Sequence, residues 1–161
     1  MVIVATLLVM VKLASNGINA IKLNQAATKV VADLRYAQQL ATTTRKRHGL
    51  TIQSAGGYSV HIDNSGEDAP VADAANIGQR FVVDFDTYQQ GELKGVRFRT
   101  LTPFCKAPRC SVCRAVMEFN GLGIPSDSEG SPLCSGQIVL TQPGGGEQAI
   151  AFEANTGRIL N

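Results

Sequence analysis

The sequence predicts an α+β fold in which one long N-terminal α-helix packs on a head made of an antiparallel β-sheet or β-sandwich. Up to about residue 45, apolar residues recur with helical spacing, and after Gly49 they alternate with polar residues as they do in strands. No long linker divides the 161 residues, of which 44% are hydrophobic, and this is enough to bury one core. We therefore predict a stalk helix over residues 1–48 and a globular head over residues 49–161.

The first eleven residues are uncharged and begin the predicted helix. A helix needs about 20 apolar residues to span a bilayer, so this segment is too short by itself. We predict that residues 1–13 form part of a transmembrane and assembly segment, and a buried core helix is the alternative. A cleaved signal peptide is disfavoured because no basic residue precedes the apolar run. The apolar residues assigned to this segment are Val2, Ile3, Val4, Leu7, Leu8, Val9 and Val11.

A stripe of apolar residues marks the helix face that we expect to pack against the head. Its members are spaced three and four residues apart, which places them on one side of a helix. They are Leu23, Ala27, Val30, Leu34, Ala37 and Ala41. Charged residues that lie off the stripe are Lys22, Lys29, Asp33 and Arg35.

Basic residues follow the stripe at Arg45, Lys46 and Arg47. Cations are favourable near a helix C-terminus, so the helix is predicted to end at about residues 46 to 48. The same cations could contact nucleic acid, but the net charge of +2 supplies few others to bind phosphate.

Alternating segments separated by turn residues predict the strands of the head. They cover residues 50–54, 58–62, 81–85, 96–100, 115–119, 137–141, 148–154 and 157–160. Two segments rich in polar residues, Gly, Pro or Ala are predicted as surface loops, residues 63–78 and 120–135. Three consecutive glycines at residues 144–146 predict a hairpin turn.

Four cysteines lie close together in the head: Cys105, Cys110, Cys113 and Cys134. Their spacing is compatible with two disulfides, with a structural zinc site and with an iron–sulfur cluster. If disulfides form, any of the three possible pairings could occur.

No motif predicts catalysis. His48 and His61 fall at the helix end and in a predicted strand, where a solvated or packed histidine is expected rather than a general base. The chain lacks the G-x-S-x-G and H-E-x-x-H motifs, and its glycine run lacks the G-K-[ST] ending of a phosphate loop. Acidic residues within 63–68 and 127–129 could bind calcium, but neither stretch completes an EF-hand loop. We predict no enzymatic activity, no cofactor and no metal site.

Three segments together resemble one family. Residues 25–52, QAATKVVADLRYAQQLATTTRKRHGLTI, are similar to the helix-to-first-strand region of type II secretion minor pseudopilins and type IV minor pilins of the GspH/FimT class. The helix of that family carries a Leu-Arg-x-Ala pattern, here Leu34, Arg35 and Ala37. Residues 116–130 resemble its strand and Gly-containing loop, and residues 150–160 resemble its closing strands around a Thr-Gly-Arg turn.

The resemblance implies a type IV pilin-like fold and a structural role. The implied function is that of a minor subunit at or near the tip of a type II secretion pseudopilus or type IV pilus, which promotes filament assembly by packing. Implied partners are other minor and major pseudopilins or pilins, inner-membrane lipid before assembly, and secreted cargo. The implied location is the inner membrane, crossed once with the head in the periplasm, and then the filament. In an oxidising compartment, disulfides are the expected state of the four cysteines.

The opening residues resemble the continuation of the family's mature N-terminus, which starts with a Phe-Thr-Leu-Ile-Glu type segment after a cleaved leader. We therefore expect that about six mature residues precede Met1, including that Glu, and that they bring the apolar segment close to membrane-spanning length.

An alternative function follows from the FimT-type members, which bind DNA through a Gly-Arg-x-Arg pattern near the C-terminus and act in DNA uptake. The matching residues here are Gly157, Arg158, Ile159 and Leu160. Leu160 replaces the second arginine, which weakens the expectation of DNA binding. The candidate DNA contacts are Arg158, Arg45, Lys46 and Arg47.

Overall fold

The helix dominates the N-terminal quarter of the chain. A computed structural model describes residues 2–54, 56–64, 67–73, 79–100, 104–105, 113–114, 116–126, 130–134, 136–144, 146–154 and 156–160, with only the helical backbone described for residues 2–16. Helix α1 runs Val2–Thr44. It ends before the predicted range of 46 to 48 because Arg45 has a φ of 56°, the left-handed conformation that terminates helices.

Short strands make up the head. In chain order they are β1 His48–Ser54, β2 Gly57–Asn64, β3 Glu67–Pro70, β4 Val82–Asp84, β5 Arg97–Thr100, β6 Phe104–Cys105, β7 Cys113–Arg114, β8 Val116–Phe119, β9 Pro125–Ser126, β10 Gly136–Gln142, β11 Gly146–Phe152 and β12 Ile159–Leu160. A short 3-10 helix, Tyr88–Gly91, lies between β4 and β5. Each predicted strand overlaps an observed one.

The strands form two main antiparallel sheets. The first has the order β3-β2-β1-β8-β9, with β4 also paired to β2, and the second has the order β12-β11-β10-β5. Strands β6 and β7 pair with each other. One long helix packed on antiparallel sheets is the predicted fold class, which the structure confirms.

Both predicted loops contain short strands. Residues 67–70 of the first loop form β3, which pairs with β2 from Asn64↔Glu67 to His61↔Pro70. In the second loop, β9 pairs with β8 and Leu133 is buried. The loop prediction is wrong at these residues because backbone pairing with a neighbouring strand requires no alternation of apolar side chains.

The core lies between α1 and the two sheets. Leu50, Val60 and Met117 are aligned on three adjacent strands of the first sheet, and all are fully buried. The ring of Tyr58 lies 6.1 Å from that of Phe98 in an edge-to-face contact, which joins the first sheet to β5 of the second. Helix α1 contacts strands of both sheets, so a single core includes the helix and the head.

Candidate interaction surfaces of the helix and the head

The predicted stripe of the helix faces the core. All six of its residues are buried, with exposed fractions of 0 to 5%: Leu23, Ala27, Val30, Leu34, Ala37 and Ala41. Ala26 and Val31 are buried beside them and widen the contact. Three of the stripe residues are alanines, which allow a close approach between helix and sheet because their side chains are small.

A charged pair beside the stripe also joins the helix to the head. Asp33 is only 5% exposed, and its carboxylate accepts the Tyr58 hydroxyl at 2.6 Å. Lys29 lies one helical turn earlier and contacts both carboxylate oxygens at 2.6 and 2.7 Å. Burial raises the pKa of the Asp33 carboxyl above its ordinary value, against the opposing effect of the Lys29 and Tyr58 hydrogen bonds. Asp33 lies off the predicted stripe, and the local pattern does not predict this link because Tyr58 is 25 residues away in the sequence.

The same charged pair forms one wall of an open cleft of about 630 Å³. The Lys29 ammonium lies 5.0 Å from the centre of the Phe81 ring, and Tyr36 stacks on the same ring at 5.7 Å. The ammonium therefore contacts both a carboxylate and an aromatic ring, and the ring contact connects α1 to the segment that carries Phe81.

Near its C-terminal end, helix α1 contacts two neighbouring loops of the head. The Gln38 amide donates hydrogen bonds to the carbonyls of Gly123 and Gly157 at 2.9 and 3.2 Å. Gly157 has a φ of +66°, and a Cβ there would collide with the Gly123 carbonyl. Both loops therefore depend on glycine at the point where they meet the helix.

Three cations surround this corner. Gly121 packs on the backbone of Arg45, and Arg158 directly follows Gly157. The side chains of Arg45, Lys46 and Arg158 are exposed, and within the described residues none forms an ion pair. The structure thus brings three of the four candidate DNA contacts to one corner of the molecule.

The fourth candidate, Arg47, has a different environment. Its Nε lies 3.8 Å from Oε2 of Glu118, a carboxylate that is fully buried. Two further arginines of the head are also neutralised, because Arg97 pairs with Asp86 and Arg99 pairs with Glu147. These arginines do not add free charge to the basic corner.

Glu118 belongs to a buried polar row on the face of the first sheet opposite Leu50. His61, Gly49, Glu118 and Ser126 occupy one register across four strands. Because Gly49 has no side chain, His61 and Glu118 meet over it, with Nε2 and Oε1 3.3 Å apart. Thr51 Oγ1 lies 3.0 Å from the other ring nitrogen of His61.

The contacts of Thr51, His61 and Glu118 resemble a hydroxyl–imidazole–carboxylate chain, but the imidazole and the carboxylate are enclosed in the packed core. His61, Glu118 and Ser126 have no exposed surface, and His48 is only 3% exposed. A general base must reach a substrate within hydrogen-bond distance, and a fully buried imidazole does not. Within the described residues, Oε2 of Glu118 and Oγ of Ser126 are buried without a hydrogen-bond partner.

The cysteines have a partial description. Cys134 is in a disulfide, and no free cysteine occurs among the described residues. Cys105 and Cys113 are opposite each other in the β6–β7 pair, whereas Cys110 lies outside the described residues. A disulfide joins two cysteines, so it removes two of the four thiolates that a zinc site or an iron–sulfur cluster would need. The pairing stays a prediction, as do the calcium alternatives at residues 63–68 and 127–129, which lie largely outside the described side chains.

Comparison with solved structures identifies the architecture. The type IV minor pilin FimU of Pseudomonas aeruginosa matches in two crystal forms. One match has a TM-score of 0.53 with 17% identity and covers 86% of each chain, and the other has a TM-score of 0.51 with 18% identity and covers 86% of this chain and 90% of FimU. The chain has a type IV pilin-like fold. No protein-family model and no curated protein sequence matches it.

The described contacts between α1 and the head begin partway along the helix. Among the helix residues whose side chains are described, Asn19 is the first that is hydrogen-bonded to the head, and its side chain contacts Pro143 and Gln142. The seven apolar residues assigned to the membrane and assembly segment, Val2 to Val11, have helical backbone, and their side chains lie outside the described residues. In the fully described part of the helix, no stretch is long and apolar enough to cross a membrane.

Proposed function

We propose that this chain is a minor pilin or pseudopilin, a non-enzymatic structural subunit at or near the tip of a type IV pilus or type II secretion pseudopilus. It would promote assembly by packing its helix against the helices of other minor and major subunits. Before assembly, the apolar N-terminal segment would hold it in the inner membrane with the head in the periplasm. Secreted cargo is a further proposed partner.

The observation that carries this proposal is the exposed apolar face of the helix, together with the length of helix that precedes its described contacts with the head. Residues 2–18 precede Asn19, the first described contact with the head, and this length of helix corresponds to about 25 Å at 1.5 Å per residue. Where this part joins the head, Ile18 and Ile21 are 57% and 61% exposed and three residues apart, so they lie on one helix face. A long helix with an exposed apolar face is suited to packing against other helices.

Cysteine cross-linking in the native host tests this packing. The gene is expressed with its in-frame upstream sequence, and Ile18→Cys and Ile21→Cys are compared with Leu122→Cys. Leu122 is 80% exposed but belongs to the corner at the other end of the head. We expect the two helix variants to form covalent adducts with another subunit in sheared filaments. Filaments that contain the chain but give no adduct at either helix position would contradict the packing proposal.

The upstream sequence provides a separate test. A glycine followed by a Phe-Thr-Leu-Ile-Glu type segment supports processing as a prepilin. An in-frame stop codon directly before Met1 would remove the main support for a filament subunit.

A second candidate function is DNA binding of the FimT type. It is favoured by the basic corner, where Arg45, Lys46 and Arg158 are exposed and unpaired within the described residues. Phosphate contacts release counterions, so each contact adds about 0.9 to the slope of log affinity against log salt concentration. If the corner binds DNA, Arg158→Ala should reduce this slope by about one contact, whereas Arg97→Ala, at a cation paired with Asp86, should leave it unchanged. Absence of salt-dependent binding by the intact chain rules out this alternative.

A further inference from the structure

The outer edge of β4 leaves backbone groups directed away from the sheet. Val60 donates its N–H to the Phe81 carbonyl at 3.0 Å, and Phe85 donates to the Gly56 carbonyl at 2.9 Å. Residues 81, 83 and 85 therefore direct their backbone groups inward. Because backbone groups alternate along a strand, those of residues 80, 82 and 84 point outward.

Part of this edge is already bonded within the chain. The Val82 N–H donates to the Arg80 carbonyl at 2.8 Å, and the Asp84 carbonyl accepts the Thr87 N–H at 3.2 Å. Among the described residues, the Val82 carbonyl and the Asp84 N–H have no partner. An unpaired edge of this kind is a template for a further strand.

Three exposed side chains alternate along the same segment: a cation at Arg80, an apolar group at Val82 and an anion at Asp84. Val82 is 49% exposed, which is unusual for an apolar residue in this head. Neither Arg80 nor Asp84 forms an ion pair with any described residue; one carboxylate oxygen of Asp84 accepts only the neighbouring Asp86 N–H. The edge therefore presents two uncompensated charges on either side of an apolar residue.

This order of side chains is complementary to itself. When two copies lie antiparallel with Val82 opposite Val82, each Arg80 faces the Asp84 of the other copy. The same register brings outward backbone groups against outward backbone groups, as a hydrogen-bonded antiparallel pair requires. We propose that the head associates with a second copy of this chain through the outer edges of β4, around a two-fold axis at Val82.

A cleft lies on each side of the edge. The 630 Å³ cleft next to Phe81 and a second cleft of about 520 Å³ next to Asp84 are both lined by Val82 and Val83. The Val82 N–H would exchange its bond to Arg80 for the Val82 carbonyl of the second copy. Only a few residues meet in this way, so the contact area falls below the roughly 1,000 Å² of a stable interface, and the dimer should form only at high protein concentration. The contact uses no residue of helix α1 and does not rest on the proposed filament role.

Charge-reversal variants of the full chain test this dimer by analytical ultracentrifugation in a non-ionic detergent. Arg80→Asp makes every cross-strand charge pair acidic, and Asp84→Arg makes every pair basic. Each single variant should weaken the dimer at least about tenfold, because two attractive pairs become two repulsive ones. An equimolar mixture of the two variants should regain association, since each acidic edge then meets a basic edge. Lys46→Asp, an equal charge change at the distant corner, is the matched control.

Each outcome of the ultracentrifugation experiment either supports or overturns the proposed dimer. Loss of the dimer in both single variants with recovery in the mixture supports the β4 edge contact. Association that persists in both variants comes from another surface, such as the helix, and overturns the proposal. A wild-type chain that stays monomeric up to millimolar concentration, or a mixture that behaves like the single variants, also overturns it.

Discussion

Tyr58, on strand β2 of the first sheet, donates a hydrogen bond from its hydroxyl to the carboxylate of Asp33 on the helix at 2.6 Å, and both residues are buried. Burial raises the pKa of both groups, that of Tyr58 well above its ordinary value. The bond joins the helix to the head at a point where Tyr58 has no exposed surface and Asp33 is only 5% exposed. Its loss should therefore affect how firmly the helix is held on the head.

The raised pKa of Asp33 predicts a pH dependence of stability. The folded chain keeps the Asp33 proton at pH values where the unfolded chain has released it, so the free energy of unfolding should fall as the pH rises from about 3.8 through the folded-state pKa. In Asp33→Asn this contribution should disappear. Urea titrations at several pH values, followed by circular dichroism, measure the slope.

Asp86 provides a control of opposite sign. The hydrogen bond from Arg97 lowers the pKa of this carboxyl below 3.8, so its contribution to stability is lost only as the pH falls further. Asp86→Asn should therefore leave the slope above pH 3.8 unchanged. An unaltered slope in Asp33→Asn would show that another group causes it.

Removal of the Tyr58 hydroxyl tests the same bond from the sheet side. Tyr58→Phe keeps the ring packing but leaves the buried Asp33 carboxylate without one donor, and this should cost about 1–3 kcal/mol of unfolding free energy. Tyr36→Phe is the matched control, because Tyr36 is partly exposed and contributes its ring to a stack with Phe81. Equal losses in the two variants would mean that the hydroxyl bond is not the cause.

The alanines of the stripe predict that the helix–sheet distance is tightly constrained. Ala37 has no exposed surface, so Ala37→Leu should overpack the core and lower the unfolding free energy by about 1–3 kcal/mol. Ala32, on the exposed side of the same helix, is the control, and Ala32→Leu should change stability by less than about 0.5 kcal/mol. Chemical denaturation of both variants makes the comparison. If Ala37→Leu does not lower the free energy of unfolding, the helix and the sheet can move apart to accommodate the larger side chain, and the prediction is wrong.

Gly157 predicts a backbone effect at the basic corner. Its positive φ and the Gln38 amide, 2.5 Å from the position of an added Cβ, leave no room for alanine. Gly157→Ala should therefore lower the free energy of unfolding by at least about 1 kcal/mol, because backbone strain and a steric clash both oppose the substitution. Gly17→Ala should instead stabilise by about 0.5–1 kcal/mol, because Gly17 is an exposed helical residue with no atom within 4 Å of an added Cβ. Thermal unfolding monitored by circular dichroism distinguishes the two signs.

Local patterns account for much of the fold. The spacing from Leu23 to Ala41 specifies a helix face, and alternation specifies β1, β2, β10 and β11, since each signal depends only on neighbours along the chain. The short strands β3 and β9 escape prediction because each pairs with a strand whose position is set by the rest of the sheet.

Contacts between residues that are far apart in the sequence could not be predicted from such local patterns. His61 and Glu118 are 57 residues apart, and only their common register across Gly49 brings them together. Arg45, Lys46 and Arg158 are recognisable as cations in the sequence, but their shared corner depends on how the helix end meets two loops of the head.

By itself, the sequence determined the order of helix and strands and the buried face of the helix, because periodicity acts over short distances along the chain. Three of its segments, residues 25–52, 116–130 and 150–160, also carry the resemblance to pilin-type subunits. The tertiary structure decided which charges are paired, which polar groups are buried and which strand edge remains open. Those properties depend on the distance between atoms that are far apart in sequence, and this distance is defined only when the helix and both sheets pack around one core.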